Sequence, residues 1–318
     1  MKTLKLKKIG AVAVAAIGIT ALANPSVTGV TVANGDTWSS KKVSFKVSGV
    51  ENWQYYLGFD VTVNGVTKTV DGGVAYNTTY SGVVIDTKEI FGELKTDENA
   101  TIKVWVSKIE PTSLSHVAVQ LWEDGPYWAI CNVDADKPTD AGSYFWWGDT
   151  AGQKPDSNNE FSTEFRSANT PTYGKDNAAL LSEGWIDSTG NLAPTHDAAT
   201  QKLGASWRMP TSDEIQMLVD KCDYGSGLTT VDGVRGRIVK GRGKYASRSI
   251  FLPAAGRGED APLYNSGSYG YYWSSTPLAG DSYCAWHLRF VASYFTRNSD
   301  DSRRTLGYSV RAVRGFAK

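Results

Sequence analysis

Between Pro25 and about Glu110 the apolar positions recur at every second residue. Val43, Phe45 and Val47 alternate with polar neighbours, as do Leu57, Phe59, Val61 and Val63, and later Ile102, Val104 and Val106. A period of two is the mark of strands with one buried face. Asn64-Gly65 stands between two such runs, and these two residues tolerate the positive φ that a two-residue hairpin turn demands. Short strands at this spacing predict a small Ig-like β-sandwich over residues 24–110. In it Asp60 and Asp71 read as strand-edge and turn residues rather than metal ligands. The segment from Glu110 to Ser113 reads as a linker, and residues 114–318 as a second domain. There the residues from Gln120 to Thr150 are dense in aromatics, while those from Ala151 to Pro171 are polar and read as a surface loop. Thr211-Ser-Asp-Glu after Pro210 is a capping box, which starts a helix. Ile215, Leu218, Val219 and Cys222 then fall on one face of it. Glycine and tyrosine dominate from Gly256 to Tyr272, and the end of the chain alternates again as strands. The fold class expected is α+β.

The N-terminus changes where this fold is expected to reside. Lys2, Lys5, Lys7 and Lys8 precede an apolar run from Ile9 to Ala23 that ends in Ala21-Leu22-Ala23. This is the layout of a secretory signal peptide (residues 1–23) cleaved near Ala23, so the mature protein is expected to be secreted or held at the cell surface. No other stretch is apolar enough to span a membrane. In an exported chain Cys131 and Cys222 either pair as a disulfide or stay as two buried thiols, and Cys284 is left over. Lys and Arg total 33, as do Asp and Glu, so there is no basic surplus to suit nucleic acid. The chain holds 11 Trp, 16 Tyr and 32 Gly, a composition of large anchors and pliant loops.

The candidate chemistry is that of binding. His116, His196 and His287 lie far apart and none sits in a recognisable nucleophile–base context, so no catalytic residue is assigned. Asp134, Asp136, Asp140 and Asp149 read as a solvated acidic loop in preference to a structural calcium site, so no metal or cofactor is assigned. In the run from Ala285 to Val291, Trp286, Leu288 and Phe290 alternate with His287, Arg289 and Val291. On a strand the first set faces the core and the second faces outward. From Asp260 to Ala317 there is no Lys, Glu, Gln or Met.

Six segments, taken in order, carry a resemblance. They are Trp128-Ala-Ile-Cys-Asn-Val, Tyr144-Phe-Trp-Trp-Gly-Asp, Trp207-Arg-Met-Pro-Thr, Ser249-Ile-Phe-Leu-Pro-Ala-Ala-Gly, Gly267-Ser-Tyr-Gly-Tyr-Tyr-Trp-Ser-Ser and Gly307-Tyr-Ser-Val-Arg. Together they resemble the Fibrobacter succinogenes major paralogous domain family over about Val117 to Gly315. The resemblance implies a C-type-lectin-like fold related to formylglycine-generating enzymes, with Trp146 and Trp147 in its interior. Those enzymes use two active-site cysteines near the C-terminus. Only Cys284 lies there, so the resemblance does not extend to the chemistry. The calcium-dependent sugar motifs of C-type lectins are absent as well.

Some proteins of this fold class are targets of diversity-generating retroelements, which rewrite adenines in a C-terminal variable segment. Randomised Asn codons cannot yield Lys, Glu, Gln or Met, which matches the missing residue types, nor Trp, which leaves Trp286 to the fixed core. The resemblance therefore implies a variable segment over about residues 264–306. Its ligand-facing set is Tyr283, Cys284, His287, Arg289, Val291, Tyr294, Thr296, Ser299, Asp300, Asp301, Arg304 and Thr305. Its scaffold is Tyr271, Tyr272, Trp273, Trp286, Leu288, Phe290, Val310 and Val313. The expected partner is a protein or glycan on another cell, a phage or a host surface. Alternatives are a glycan-binding or cell-wall module of fixed specificity and, less favoured, a formylglycine-generating type of enzyme.

Overall fold

The computed structural model describes residues 24–37, 39–92, 100–109, 111–300 and 302–315. The expected signal peptide, Asp301 and the Glu110 end of the expected linker lie outside them. The chain is mostly β-sheet arranged as several small sheets, with four short α-helices among the described residues.

The first region holds β1 (Ser26–Asn34), β2 (Ser40–Ser48), β3 (Tyr55–Val63), β4 (Val66–Ala75), β5 (Thr78–Asp86), the short helix α1 (Thr87–Phe91) and β6 (Thr101–Lys108). They form two three-stranded antiparallel sheets, ordered β1-β2-β5 and β4-β3-β6. The alternating residues meet between the sheets. Val43, Val47 and Val61 are wholly buried, and the Phe45 ring lies edge-on to Phe59 at 5.7 Å and stacks on Tyr80 at 4.7 Å. Asn64 and Gly65 turn β3 into β4 with φ of 50° and 79°, as a two-residue turn between right-twisted strands requires.

The chain continues through β7 (Ala118–Gln120), β8 (Tyr127–Ala129), β9 (Tyr144–Phe145), α2 (Asn177–Ser182), α3 (Ala198–Leu203), β10 (Trp207–Arg208) and α4 (Ser212–Lys221). Then come β11 (Thr229–Val231), β12 (Val234–Lys240), β13 (Ser249–Pro253), β14 (Arg257–Gly258), β15 (Leu263–Tyr264) and β16 (Gly270–Pro277). It ends with β17 (Ala285–Phe290), β18 (Phe295–Asn298), β19 (Tyr308–Ser309) and β20 (Val313–Arg314). The largest sheet has five strands in the order β18-β17-β16-β19-β9; β10-β20-β8-β7 and β11-β12-β13 form smaller ones. Thr211 caps α4, its hydroxyl accepting from the Glu214 amide while the Glu214 carboxylate takes the Thr211 amide. Ile215, Leu218 and Cys222 bury the inward face. Trp147 is fully buried and Trp146 nearly so. The polar stretch from Ala151 to Pro171 is not wholly a surface loop. Its Phe161 and Phe165 are buried, with Phe165 stacked on Trp146 at 4.7 Å.

One apolar core runs across the boundary between the two regions. Trp53 carries it: its ring stacks on Tyr76 at 5.0 Å and on Phe251 of β13 at 5.4 Å. Its indole N–H donates to the Ser249 hydroxyl at 3.0 Å. At the rim Lys244 bridges Glu89 and Glu123 at 3.0 and 3.1 Å. A ring pair with its polar edge satisfied resists sliding in a way that a flat greasy contact does not.

Cys131 and Cys222 are free, buried thiols, so the disulfide alternative falls. Burial without a nearby cation strong enough to offset it pushes each thiol up to about 12. No helix among the described residues is long and apolar enough to cross a membrane.

Candidate binding surface

The hairpin of β17 and β18 forms the edge of the five-stranded sheet, so it is paired on one side only. Its register sorts the C-terminal side chains onto two faces. Tyr272, Leu288 and Arg297 lie in one row of one face; Trp273, His287 and Asn298, then Tyr271, Arg289 and Thr296, make two rows of the other. The first face is covered by α4 and the main core. Leu288, Phe290 and Phe295 are buried there, and at Gly270 a Cβ would come within 2.1 Å of the Phe290 ring, so only glycine admits it. Trp286, expected in the core, is half-buried instead. It sits towards the sheet edge under the Arg297 guanidinium at 4.6 Å, and Arg297 is tied in turn to Asp213 of α4 at 3.1 Å.

The second face is divided along its length. His287 was expected to point to solvent, and the structure buries it completely. Its ring lies 5.1 Å from Tyr308, 6.0 Å from Tyr271 and 6.0 Å from Trp273. The reason is topological: β19 returns parallel to β16 and lays Tyr308 over this half of the face, with the Trp273 ring stacked on it at 4.1 Å. Two residues further along β17 the cover ends, and Arg289 is only half-buried.

Arg304 and Thr305 are also corrected, since both are buried rather than displayed. Arg304 lies over the Trp147 ring at 4.9 Å. Its guanidinium donates to the backbone carbonyls of Lys175 at 2.7 Å, Cys284 at 3.0 Å, and Thr172, Ser282 and Asp281 at 3.3 Å. Burial lowers it to about 10, which leaves it protonated at neutral pH. A second buried arginine, Arg237 of β12, does the same at the other end of the hairpin. It donates to the carbonyls of Val291 at 2.7 Å and Ala292 at 3.0 Å in the β17–β18 turn, and to Gly225 at 2.9 Å and Tyr224 at 3.2 Å. Both grips take hold of main-chain oxygens, which every residue type supplies. The hydrogen bonds of each grip therefore use no side chain of the gripped segments.

Of the remaining expected residues, Tyr283 is half exposed and its ring meets the exposed Tyr173 at 5.0 Å. Cys284 is half-buried and its amide donates to the Asp281 carboxylate at 3.1 Å. Val291, Tyr294, Thr296 and Ser299 are half-buried and Asp300 is exposed. Arg289 is the centre of what stays open. Its guanidinium lies 5.5 Å from the Tyr269 ring, 5.7 Å from Tyr271 and 5.5 Å from Tyr294. Arg257 also lies 5.7 Å from the Tyr271 ring and pairs with Glu259, which in turn holds Arg303 at 2.6 Å. Sequence reasoning missed Tyr173, Arg237, Arg257 and Tyr269. A count of arginines and tyrosines flanking the Gly-rich stretch was the only signal for Arg257 and Tyr269, and none existed for the others.

The acidic loop carries its carboxylates separately. Asp134 accepts from Ser143 at 2.9 Å and pairs with Lys202 at 3.0 Å, while Asp149 accepts from the amides of Ala151 and Gly152. Among the described residues no group of three or more His, Cys, Asp or Glu side chains is placed to hold a metal ion. No protein-family model, curated protein or solved structure matches the chain.

Proposed function

We propose that this is an exported ligand-binding display protein: a C-type-lectin-like domain mounted on an Ig-like sandwich, binding a partner through the open part of the β17–β18 face. The partner is a protein or glycan on another cell, a phage or a host surface, and no catalytic step belongs to this reading. The ligand-facing set is Tyr283, Cys284, Arg289, Val291, Tyr294, Thr296, Ser299 and Asp300. The observation that carries the reading is the pair of buried arginine grips. Arg237 holds the β17–β18 turn and Arg304 the segment that leads into β17, both through main-chain carbonyls, so neither grip depends on which side chains those segments present to the outside. That is the property a surface rewritten by a retroelement needs. Tyrosine and arginine are also the residue types that supply most contact area and polarity at low ordering cost in binding surfaces.

Comparing copies of the gene from closely related strains tests this. The expected differences cluster at adenine-derived codons of that set and spare those of Trp286, Arg304 and Thr305. Differences scattered evenly over the chain would overturn the diversification. A module of fixed specificity is the second reading, favoured by how closely Arg289 is built in among Tyr269, Tyr271 and Tyr294. It predicts a constant codon at Arg289 and no reverse-transcriptase gene nearby.

A further inference from the structure

We infer that the partner of this copy is a protein that presents an acidic side chain to Arg289; this rests on the reading that the β17–β18 face binds a ligand. Three observations lead there. The first is charge. Arg257, Arg297 and Arg303 each pair with a carboxylate, from Glu259, Asp213 and Glu259 again. Arg289 has no carboxylate partner among the described residues, and its Nε is buried without a hydrogen-bond acceptor. Its neighbours are tyrosine rings, which attract the cation through their quadrupoles and leave its charge unneutralised. A planar guanidinium held this way is pre-set for two parallel hydrogen bonds to a carboxylate, with little side-chain freedom left to lose.

The second is the use of the rings. Sugar recognition by stacking needs an open aromatic face. Here Tyr269, Tyr271 and Tyr294 all spend ring contacts on Arg289, and Tyr271 also meets Arg257. The third is shape. Two cavities, of about 420 and 430 Å³, lie elsewhere: one between the two regions at Lys244 and Tyr245, the other beside Asp197 and Arg208. A half-buried central arginine with tyrosines around it fits a protein side chain inserted from a broad partner better than a buried small molecule.

Selection from a random 12-residue peptide library on the immobilised full chain tests the inference. Wild type is expected to enrich Asp- and Glu-containing peptides. The best of them should bind at least tenfold more weakly to Arg289→Gln, weaken in raised salt, and recover in part with Arg289→Lys, which keeps the charge and loses the fork. Arg297→Gln, on the opposite face, should bind as wild type does. Thermal unfolding of each variant separates lost contact from lost fold. Enriched peptides without acidic residues, or acidic ones indifferent to Arg289→Gln, would overturn the inference and leave the binding surface standing. Displacement of the peptides by polygalacturonate at lower carboxylate concentration than by polyglutamate would overturn it in favour of an acidic glycan. Failure of every variant and wild type to enrich any peptide would overturn the inference and count against the binding surface too.

Discussion

Replacing Arg237 with methionine removes one of the two grips while keeping an apolar stem of similar length. Four backbone carbonyls lose a cationic donor at 2.7 to 3.2 Å. A hydrogen bond to a charged group contributes about 1.5–3 kcal/mol, and an acceptor left buried and unpaired costs about 1–3 kcal/mol. Two terms reduce the sum. The turn carbonyls lie in a half-exposed loop, where water replaces part of what is lost, and the cost of burying the guanidinium itself disappears. The net is about 3 kcal/mol of lost stability, with the damage centred on the β17–β18 turn. Denaturant unfolding reads the total, and amide hydrogen exchange reads its place: protection should fall first at residues 290–295. Tyr283→Ser and Val291→Ser, which change only side chains at the gripped loops, should stay within about 0.5 kcal/mol of wild type. Side-chain variants as costly as Arg237→Met, or unchanged exchange in the turn, would refute the main-chain grip.

Other expectations follow from the same packing. His287→Ala should cost about 2 kcal/mol in denaturant unfolding, since it opens a cavity under Tyr308, where a solvent-facing histidine would cost almost nothing. Trp53→Ala should cost about 3–5 kcal/mol and split one unfolding transition into two, because its ring joins the regions. Thiol titration of the native protein at pH 8 should count no more than one reactive cysteine, Cys284, and three in denaturant. The buried thiols also set a pH dependence. Their folded values, about 12, lie above the ordinary 9.0, so their stabilising protonated state is fully present below pH 9 and is lost as pH rises towards 12. Unfolding free energy should therefore fall through that window, and Cys131→Ala should flatten part of the fall.

The elements that sequence reveals best are those whose pattern has one cause. Val43, Phe45 and Val47 alternate because one sheet face meets the core and the other meets water. The Thr211–Glu214 box reports its helix because both partners lie within four residues. The alternation in β17 was read correctly as two faces, yet it says nothing of what covers each one. His287 is buried by Tyr308, a residue more than twenty positions downstream on a strand that returns parallel. Arg304 and Thr305 have types that a randomised codon permits, but permitted type is not exposure. The carbonyls that accept from Arg304 come from two separate loops, which no local pattern announces. Phe161 and Phe165 were hidden in the same way by the polar residues around them. The partial exposure of Arg289, Tyr294 and Tyr283 was legible because they sit where a hairpin edge and its flanking loop leave the covered part of the sheet.

The account rests on a fixed frame carrying a free face, and one library measures that directly. Codons 283, 291, 294, 296, 299 and 300 are randomised together, the chain is displayed, and the fraction of members that resist protease is compared with a library randomised at 285, 287, 288, 290, 304 and 305. The account predicts that most members of the first library stay folded and nearly all of the second do not. Equal loss of folded members in both would contradict it.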